Sequence, residues 1–230
     1  MNIYADNRML SEGLIGGTVS RHAGDMRDIS NQNAVFGQLG VAQDKILHFH
    51  QTHSDRIIHI ASDADALSLQ SRPEEDADAW VFSCGGWGGA IQTADCVPLF
   101  LWDETASVFA LAHCGWRGVA AQLPYKTATA LKEAGAQGVI SAWAGPHIQS
   151  CCFEVQEDVA RQFSAGSVLR KEGKIFVDLN AEIILQLELA GLTAADIKTP
   201  YYCTCGDKEN FFSWRRDHIR QNLLSFIYKP

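Results

Sequence analysis

The sequence predicts a single domain of mixed α and β structure that extends over residues 1–230, and three observations support this prediction. Between residues 79 and 112 the apolar residues come in short runs bounded by turn residues, which is the pattern of buried strands. Residues 28–39 and 178–190 carry apolar residues at helical spacing, and a glycine ends each segment. The chain shows no repeat, linker or low-complexity segment, and 230 residues suit one domain.

The first third of the chain holds a predicted helix and two predicted strands. After the helix, residues 45–55 alternate in polarity, which predicts a strand with His48 and His50 on one face. Residues 56–60 are predicted to form the strand that returns beside it. The acidic residues 61–77 are interpreted as a solvated surface connection.

The centre of the chain has the clearest strand pattern. The predicted strands here are 79–83, 90–93, 97–102 and 107–112. The glycine-rich residues 84–89 resemble a phosphate loop, but they lack its Lys-Ser/Thr ending and are interpreted as a turn. Further along, the predicted elements are a helix through residue 131 that Pro124 restarts or kinks, a strand (139–143), a short helix (156–163), a strand (174–177), the helix 178–190 and an apolar tail.

Composition excludes several classes of protein. The chain is 47% hydrophobic and 20% charged, as is usual for a soluble globular protein. Its net charge of −8 argues against a general nucleic-acid binder, although a local basic pocket for a small anion stays open. No apolar run approaches the ~20 residues of a membrane span, and residues 1–8 lack a signal pattern. The seven cysteines cannot all pair, so we expect a reduced, cytoplasmic chain whose cysteines are thiols or ligands.

Two polar motifs interrupt the predicted strands. Residues 93–98 (TADCVP) place Asp95 and Cys96 before one strand, and residues 112–118 (AHCGWRG) place His113 at the end of another. If these strands are neighbours in one sheet, Cys96 and His113 emerge close together.

The chemistry of these residues leaves two functional interpretations open. His53, Cys96 and His113 form a donor set that suits zinc, which takes three protein ligands in a typical catalytic site. Alternatively, Cys96 is a thiolate nucleophile and His113 its base, with Asp95 orienting the ring. Both need a deprotonated sulfur beside an imidazole, so the residues alone do not separate them. Buried polar groups without either role are an equally acceptable reading.

The remaining cysteines and histidines give weaker signals. The adjacent pair at 151–152 and the C-x-C at 203–205 lack metal-binding spacing and are interpreted as core thiols or site lining. His48, His50 and His59 could add copper ligands, although surface or packing roles are favoured.

Arginines and aromatic residues follow the motifs. The guanidinium groups of Arg117 and Arg215 suit phosphate or carboxylate, while Arg216 is equally well explained by an ion pair with Asp217. Nearby aromatic side chains could stack on a purine or belong to the core; they are Trp116, Phe211, Phe212 and Trp214.

Seven segments, in order along the chain, resemble the signature of one family. They are 51–53 (QTH), 93–98 (TADCVP), 112–118 (AHCGWRG), 145–155 (GPHIQSCCFEV), 177–179 (VDL), 203–204 (CT) and 211–217 (FFSWRRD). The family is that of the YfiH-like proteins, also called the laccase-domain or multicopper polyphenol oxidase family, and the resemblance covers residue 45 to the C-terminus. It implies an α+β layered sandwich with mixed sheets and flanking helices, similar to the catalytic domain of deamidase toxins.

The resemblance also implies an activity and a metal. Members of the family are purine nucleoside phosphorylases that act on adenosine, inosine and methylthioadenosine, and they are also associated with adenosine deamination. The family's zinc ligands fall on His53, Cys96 and His113, which favours zinc over a bare cysteine nucleophile. We expect these three to be the catalytic residues as well.

The remaining expectations concern substrate, partners and alternatives. We expect substrate contacts from Arg117, Gln51, Arg215 and Asp95. The partners are then a purine nucleoside and phosphate, with no nucleic acid or membrane, in a monomer or homodimer. The alternatives are a copper-dependent polyphenol oxidase and a non-catalytic protein that binds zinc and nucleoside.

The chain departs from the family pattern in several places. Residues 20–24 (SRHAG) are shorter than the usual N-terminal segment, and residues 31–32 read Asn-Gln where Asn-Arg is usual. Residues 84–87 replace a plainer loop, and residues 219–220 read Ile-Arg where Gly-Arg is usual. If the N-terminal elements hold the nucleoside, the substrate preference of this chain changes.

Overall fold

The computed structural model describes residues 2–72 and 74–230. Its strands are β1 (Ile3–Tyr4), β2 (Ile15–Val19), β3 (Ile46–Leu47), β4 (Ile57–Ile60), β5 (Ala79–Phe82), β6 (Gly88–Thr93), β7 (Val97–Asp103), β8 (Phe109–Cys114), β9 (Ile140–Ala144), β10 (Glu154–Val155), β11 (Val168–Lys171), β12 (Lys174–Val177), β13 (Ile197–Lys198) and β14 (Leu223–Tyr228). Its helices are α1 (Asn7–Ser11), α2 (Ile29–Leu39), α3 (Asp63–Gln70), α4 (Trp116–Ala120), α5 (Leu123–Glu133), α6 (Glu157–Ala160), α7 (Leu179–Leu189) and α8 (Trp214–Asp217).

The strands form two large sheets and one small sheet. The six-stranded sheet has the order β13-β9-β7-β8-β5-β4, and the five-stranded sheet has the order β1-β2-β14-β6-β3. The small sheet has the order β10-β12-β11. The pairs β3–β6, β4–β5 and β9–β13 are parallel and the other pairs are antiparallel, so both large sheets are mixed. The predicted class of mixed sheets with flanking helices is confirmed.

Strand β7 shows how the layers are held together, because all seven of its residues are buried. Leu99 and Leu101 point into a core that they share with apolar residues of α5 and α7. Phe100 and Trp102 point the other way, into a core shared with the five-stranded sheet. A third core lies beyond that sheet, where Phe36 of α2 packs on β14. Both faces of β7 are buried, so apolar residues are favoured at every position, and this explains the continuous apolar run. Complete burial of one large apolar side chain contributes about 1.5–3 kcal/mol to the stability of the fold.

The predicted strand at 45–55 is wrong beyond Leu47. After β3 the chain leaves the sheet, because the carboxylate of Asp78 accepts the main-chain N–H groups of Thr52, His53 and Ser54 that a strand ladder would use. The predicted return strand exists as β4, but it pairs parallel with β5 in the other large sheet.

Several elements lie in segments where no element was predicted, among them α3, β2 and β11. The acidic connection contains α3, which Ser62 caps and which buries Ala66 and Leu69. The N-terminal lead contains β2, where a Cβ atom on Gly16 would lie 2.6 Å from the carbonyl oxygen of Phe226 in β14. The third is β11, a largely exposed strand of the small sheet.

The predicted helices and the central strands are confirmed within a few residues. Helix α2 is capped by Asp28 and ends at Gly40, which adopts a left-handed conformation. Pro124 lies in the first turn of α5 and so starts a second helix after α4. Within the described ranges, no helix combines the length and the apolar character needed to cross a membrane.

Candidate active site and metal-binding cluster

The register of β7 and β8 brings the two polar motifs together. Pro98 lies opposite His113 in this antiparallel pair, so Cys96, just before β7, emerges at the same end as His113. The predicted juxtaposition of Cys96 and His113 is therefore confirmed. Asp95, which precedes Cys96, has a φ of 103°, a left-handed conformation that few residues other than glycine adopt.

His53 completes a cluster of three donor atoms with Cys96 and His113. The nearest ring nitrogens and the sulfur all lie within 4.8 Å of one another, and His53 Nε2 is 3.7 Å from Cys96 Sγ. His113 is only 2% exposed, whereas His53 is exposed and Cys96 is half-buried. We call these three residues the donor cluster; one side faces the protein and the other is open to a ligand.

Asp78 is the buried residue that orients the donor cluster, and the sequence reasoning missed it. Its Oδ1 atom accepts hydrogen bonds from His113 Nδ1 at 2.8 Å and from the main-chain N–H of His53 at 3.1 Å. Its Oδ2 atom accepts from the main-chain N–H and the hydroxyl of Ser54 at 2.6 and 2.7 Å. A carboxylate that holds Nδ1 leaves Nε2 of His113 facing the cluster, which is the arrangement that orients metal-binding histidines. The only feature of the sequence that pointed to Asp78 was its position, as an acidic residue immediately before the buried strand β5.

Electrostatics favours a charged pair within the donor cluster when no metal is bound. Burial raises the pKa of the Cys96 thiol, but the neighbouring His113 more than offsets this and lowers it to about 6. Burial likewise disfavours the charged imidazole, but Cys96 and Asp78 raise the pKa of His113 to about 9. Cys96 is therefore a thiolate at neutral pH, the form that binds metals and attacks electrophiles.

Gly115 is a further site residue that the sequence reasoning did not single out. A Cβ atom at this position would lie 2.6 Å from Cδ2 of His53 and 3.2 Å from the sulfur of Cys96. No side chain fits there without displacing the donor cluster. The position therefore requires glycine, because His53 and Cys96 lie so close to its main chain.

The donor cluster lies at the wall of an open cleft of about 770 Å³. Gln51, Arg117 and Arg215, three of the predicted substrate contacts, also line this cleft, as does the fourth, Asp95. The guanidinium group of Arg117 stacks on the ring of Trp116 at 4.3 Å, and in the described part of the chain it makes no hydrogen bond or ion pair. Its donors are therefore available to an anion.

The other three predicted substrate contacts bind the protein itself. The side-chain amide of Gln51 exchanges two hydrogen bonds of 2.8 Å with the main chain of Gln92. The carboxylate of Asp95 accepts from the Thr204 hydroxyl and from the main-chain N–H of Arg215, both at 2.7 Å. The guanidinium group of Arg215 donates to the carbonyl groups of residues 152 and 154. These contacts fix the shape of the cleft, and a direct role in substrate binding stays a prediction for all three.

The donor set fits zinc better than a multicopper centre. Two imidazoles and one thiolate leave a coordination position open, as in catalytic zinc sites. His48 and His50 also line the cleft, but in the described residues neither belongs to the group of donor atoms within 4.8 Å. His50 instead contacts Asp76 at 2.9 Å, and burial lowers the pKa of His48.

The fold and the cleft define a layered α/β protein with a two-imidazole, one-thiolate cluster beside a cleft of ligand size. The family model described as multi-copper polyphenol oxidoreductase laccase matches residues 16–228, and the chain belongs to this family. The match begins well upstream of residue 45, where the resemblance of the motifs begins.

Individual relatives and one solved structure agree with this assignment. The chain is 35% identical over 190 residues to a protein named adenosine deaminase RL5 from an unknown prokaryotic organism, covering 78% of this chain and 72% of the relative. It is 30% identical over 191 residues to a purine nucleoside phosphorylase of Clostridium acetobutylicum, covering 79% and 76%. The crystal structure of the Bacillus licheniformis hypothetical protein YfiH superposes with a TM-score of 0.84 at 26% identity, covering 94% of this chain and 93% of that one.

Proposed function

We propose that this protein is a zinc-dependent purine nucleoside phosphorylase that acts on adenosine, inosine and methylthioadenosine, with adenosine deamination as a second activity. The observation that carries the proposal is the combination, in one cleft, of the donor cluster, an arginine with free donors and apolar walls. A cleft of about 770 Å³ accommodates a nucleoside together with phosphate. The names of the relatives at 30% and 35% identity supply the nucleoside chemistry.

In phosphorolysis a phosphate oxygen forms a bond to the ribose C1′ atom while the bond from C1′ to the base nitrogen breaks. The base leaves with the electron pair and takes up a proton, and the other product is the sugar 1-phosphate, which is ribose 1-phosphate for adenosine and inosine. Arg117 is suited to hold the phosphate, because its planar guanidinium group can donate two parallel hydrogen bonds to one anion. Its stacking on Trp116 limits its freedom before phosphate binds.

The donor cluster would hold the zinc ion through His53, Cys96 and His113. A bound zinc ion supplies Lewis acidity toward an oxygen of the phosphate or sugar. Asp78 keeps the ring of His113 in place and compensates positive charge on it, since it lies within 2.8 Å of Nδ1. Gly115 leaves room for His53 beside Cys96.

The aromatic and apolar residues of the cleft are suited to the purine. Trp214 is 48% exposed and lines the cleft, so its indole ring is available for stacking. Phe153, Ile148 and Leu179 add a buried apolar surface. The departures from the family pattern at Ile219 and Arg220 also line the cleft, so they bear on which base is preferred.

The copper oxidase alternative receives support only from the description of the family. A multicopper centre needs many clustered histidines, and the described residues offer two imidazoles in the donor cluster. A non-catalytic protein that binds zinc and nucleoside is distinguished by the absence of turnover. The cytoplasmic location, the monomeric or dimeric state and the absence of nucleic-acid binding stay predictions.

The test is an assay of purified, zinc-loaded protein with adenosine, inosine or methylthioadenosine and phosphate. We expect free base and the sugar 1-phosphate in equal amounts, which is ribose 1-phosphate from adenosine or inosine and 5-methylthioribose 1-phosphate from methylthioadenosine, and a strongly reduced rate for Cys96→Ala. Arg170→Ala is a matched control for Arg117→Ala, because Arg170 is an exposed arginine on β11 that pairs with Glu157 outside the cleft. Absence of a sugar 1-phosphate with every purine nucleoside contradicts the proposal, and oxygen consumption with phenols by copper-loaded protein supports the alternative.

A further inference from the structure

We propose that Cys151, Cys152 and Cys203, with Cys205 as fourth donor, form a second metal site that binds a thiophilic cation such as Zn²⁺. We call the first three residues the thiol cluster. It is separate in composition from the donor cluster and does not depend on the proposed nucleoside activity. The fold joins the adjacent cysteines of one loop with the C-x-C of another, so neither spacing alone indicated the site.

The distances within the thiol cluster suit one bound cation. The three sulfur atoms all lie within 4.8 Å of one another, with Cys151 Sγ at 3.3 Å from Cys152 Sγ and 3.6 Å from Cys203 Sγ. Zinc–sulfur bonds of about 2.3 Å in a tetrahedral site place the sulfurs about 3.8 Å apart. The separations of 3.3 and 3.6 Å are both slightly shorter than this value, so small rotations of the side chains open the site to a cation.

Cys205 can supply the fourth sulfur. Cys205 lies outside the group of three sulfurs within 4.8 Å of one another, but it is two residues from Cys203 and is half-buried against the same apolar core as Cys152. The main-chain N–H of Gly206 donates to Cys203 Sγ at 3.3 Å. Hydrogen bonds to sulfur are among the contacts that tune cysteine ligands in metal clusters.

Two arginines hold the main chain around the thiol cluster, and one of them, Arg216, is also paired with Asp217 at 2.7 Å. The guanidinium group of Arg215 donates to the carbonyl oxygen of Cys152 at 3.1 Å. That of Arg216 donates to the carbonyl oxygens of Thr204 and Cys205 at 2.8 and 3.1 Å. Both arginines therefore contact the main chain of the proposed ligands.

The convergence of three or four thiols favours a metal over a disulfide. A disulfide uses two sulfurs at about 2.05 Å and leaves the others without a partner. In the structure all seven cysteines are free thiols, and Cys151 is exposed, which gives a cation access from solvent.

A cation at this position would link two loops that shape the cleft. One loop contains Phe153, which lines the cleft, and the other contains Thr204, which donates to Asp95 beside the donor cluster. Main-chain hydrogen bonds between His147 and residues 202 and 204 already hold the loops together, and a metal would add a second connection. We therefore assign the site a structural role behind the cleft.

The test compares zinc stoichiometry in reduced, metal-free protein titrated with Zn²⁺. We expect the double variant Cys151→Ser/Cys203→Ser to bind one equivalent fewer than the wild type, whatever the donor cluster binds. Cys84→Ser is the matched control, because Cys84 is a half-buried free thiol in the turn before β6, and we expect it to bind as the wild type does. With Co²⁺ in place of Zn²⁺ we expect a sulfur-to-metal absorption band. The double variant should weaken this band, and Cys96→Ser should remove only the part that comes from the donor cluster.

A second measurement on the wild type keeps the test independent of how the variants fold. Alkylation followed by mass spectrometry should show that Zn²⁺ protects Cys151, Cys152 and Cys203, while Cys84 stays reactive. Equal stoichiometry of the wild type and a folded double variant overturns the proposal. Unchanged alkylation of Cys151 in the presence of Zn²⁺ does so as well.

Discussion

Replacing Asp78 by asparagine tests whether this buried carboxylate organises the donor cluster. Asp78 is fully buried and accepts six hydrogen bonds, two at Oδ1 and four at Oδ2. Asparagine keeps one acceptor oxygen, which we expect to stay with Nδ1 of His113. Its amide nitrogen then faces the main-chain N–H of Ser54, and a donor replaces an acceptor.

The magnitude follows from these contacts. The N–H groups of Thr52 and Ser54 both lose their acceptor. Thr52 is exposed, so its N–H group can bind water, whereas the loss at Ser54 costs about 1–3 kcal/mol, and the bond to His113 loses the assistance of the negative charge. We therefore expect Asp78→Asn to lower the free energy of unfolding by about 2–4 kcal/mol. Loss of an orienting partner of a ligand histidine also weakens metal binding by about 10–100-fold.

The assays are urea unfolding of the metal-free protein and zinc competition with a chromophoric chelator. Asp103→Asn is the matched control, because Asp103 is also fully buried and accepts the main-chain N–H groups of Ser107 and Gln137 at the far end of β7. We expect Asp103→Asn to lose comparable stability without a change in zinc affinity. Equal zinc affinities of the two folded variants would refute the role of Asp78 as an orienting residue.

Three further predictions concern single positions. Gly115→Ala should weaken zinc binding at least ~10-fold in the same competition assay, because its Cβ atom would lie 2.6 Å from the His53 ring; unchanged affinity contradicts the close-approach argument. Arg117→Ala should raise the KM for phosphate ~10–100-fold in steady-state kinetics, while Arg170→Ala leaves it unchanged; equal effects of both variants contradict a specific phosphate site. Burial lowers the pKa of His147 to about 4, so the unfolded chain takes up a proton below about pH 6.5 that the folded chain refuses. Stability should therefore fall by about 2 kcal/mol from this group between about pH 6.5 and about pH 5, and His147→Gln should remove this part of the slope in urea unfolding.

The parts of the fold that the sequence predicted are those with strong local signals. The two-sided burial of β7 produces an uninterrupted apolar run, and the caps of α2 are visible as Asp28 and Gly40. The strand predicted after β3 was wrong because the alternation of polarity there has another cause. Phe49 is buried against Trp80, while His48 and His50 on either side of it line the cleft. The contacts that end the strand come from Asp78, which is distant in sequence, so no local pattern shows them.

The candidate site was predictable in its residues but only partly in its geometry. Two strand ends in one sheet were enough to place Cys96 beside His113, since neighbouring antiparallel strands start and finish at the same edge. His53 was predicted from its donor chemistry and then from the family resemblance, but its position was not predictable, because it lies in an irregular segment outside the strands. The thiol cluster was missed for a related reason: residues 151–152 and 203–205 meet only through tertiary contacts between two loops.

The most direct test of the central claim is a zinc-edge anomalous diffraction map from crystals of the zinc-loaded protein. We predict a strong peak in contact with His53, Cys96 and His113, with its open side toward the cleft, and loss of that peak in Cys96→Ser. Empty density between these three residues in zinc-containing crystals would contradict the claim that they form the metal site.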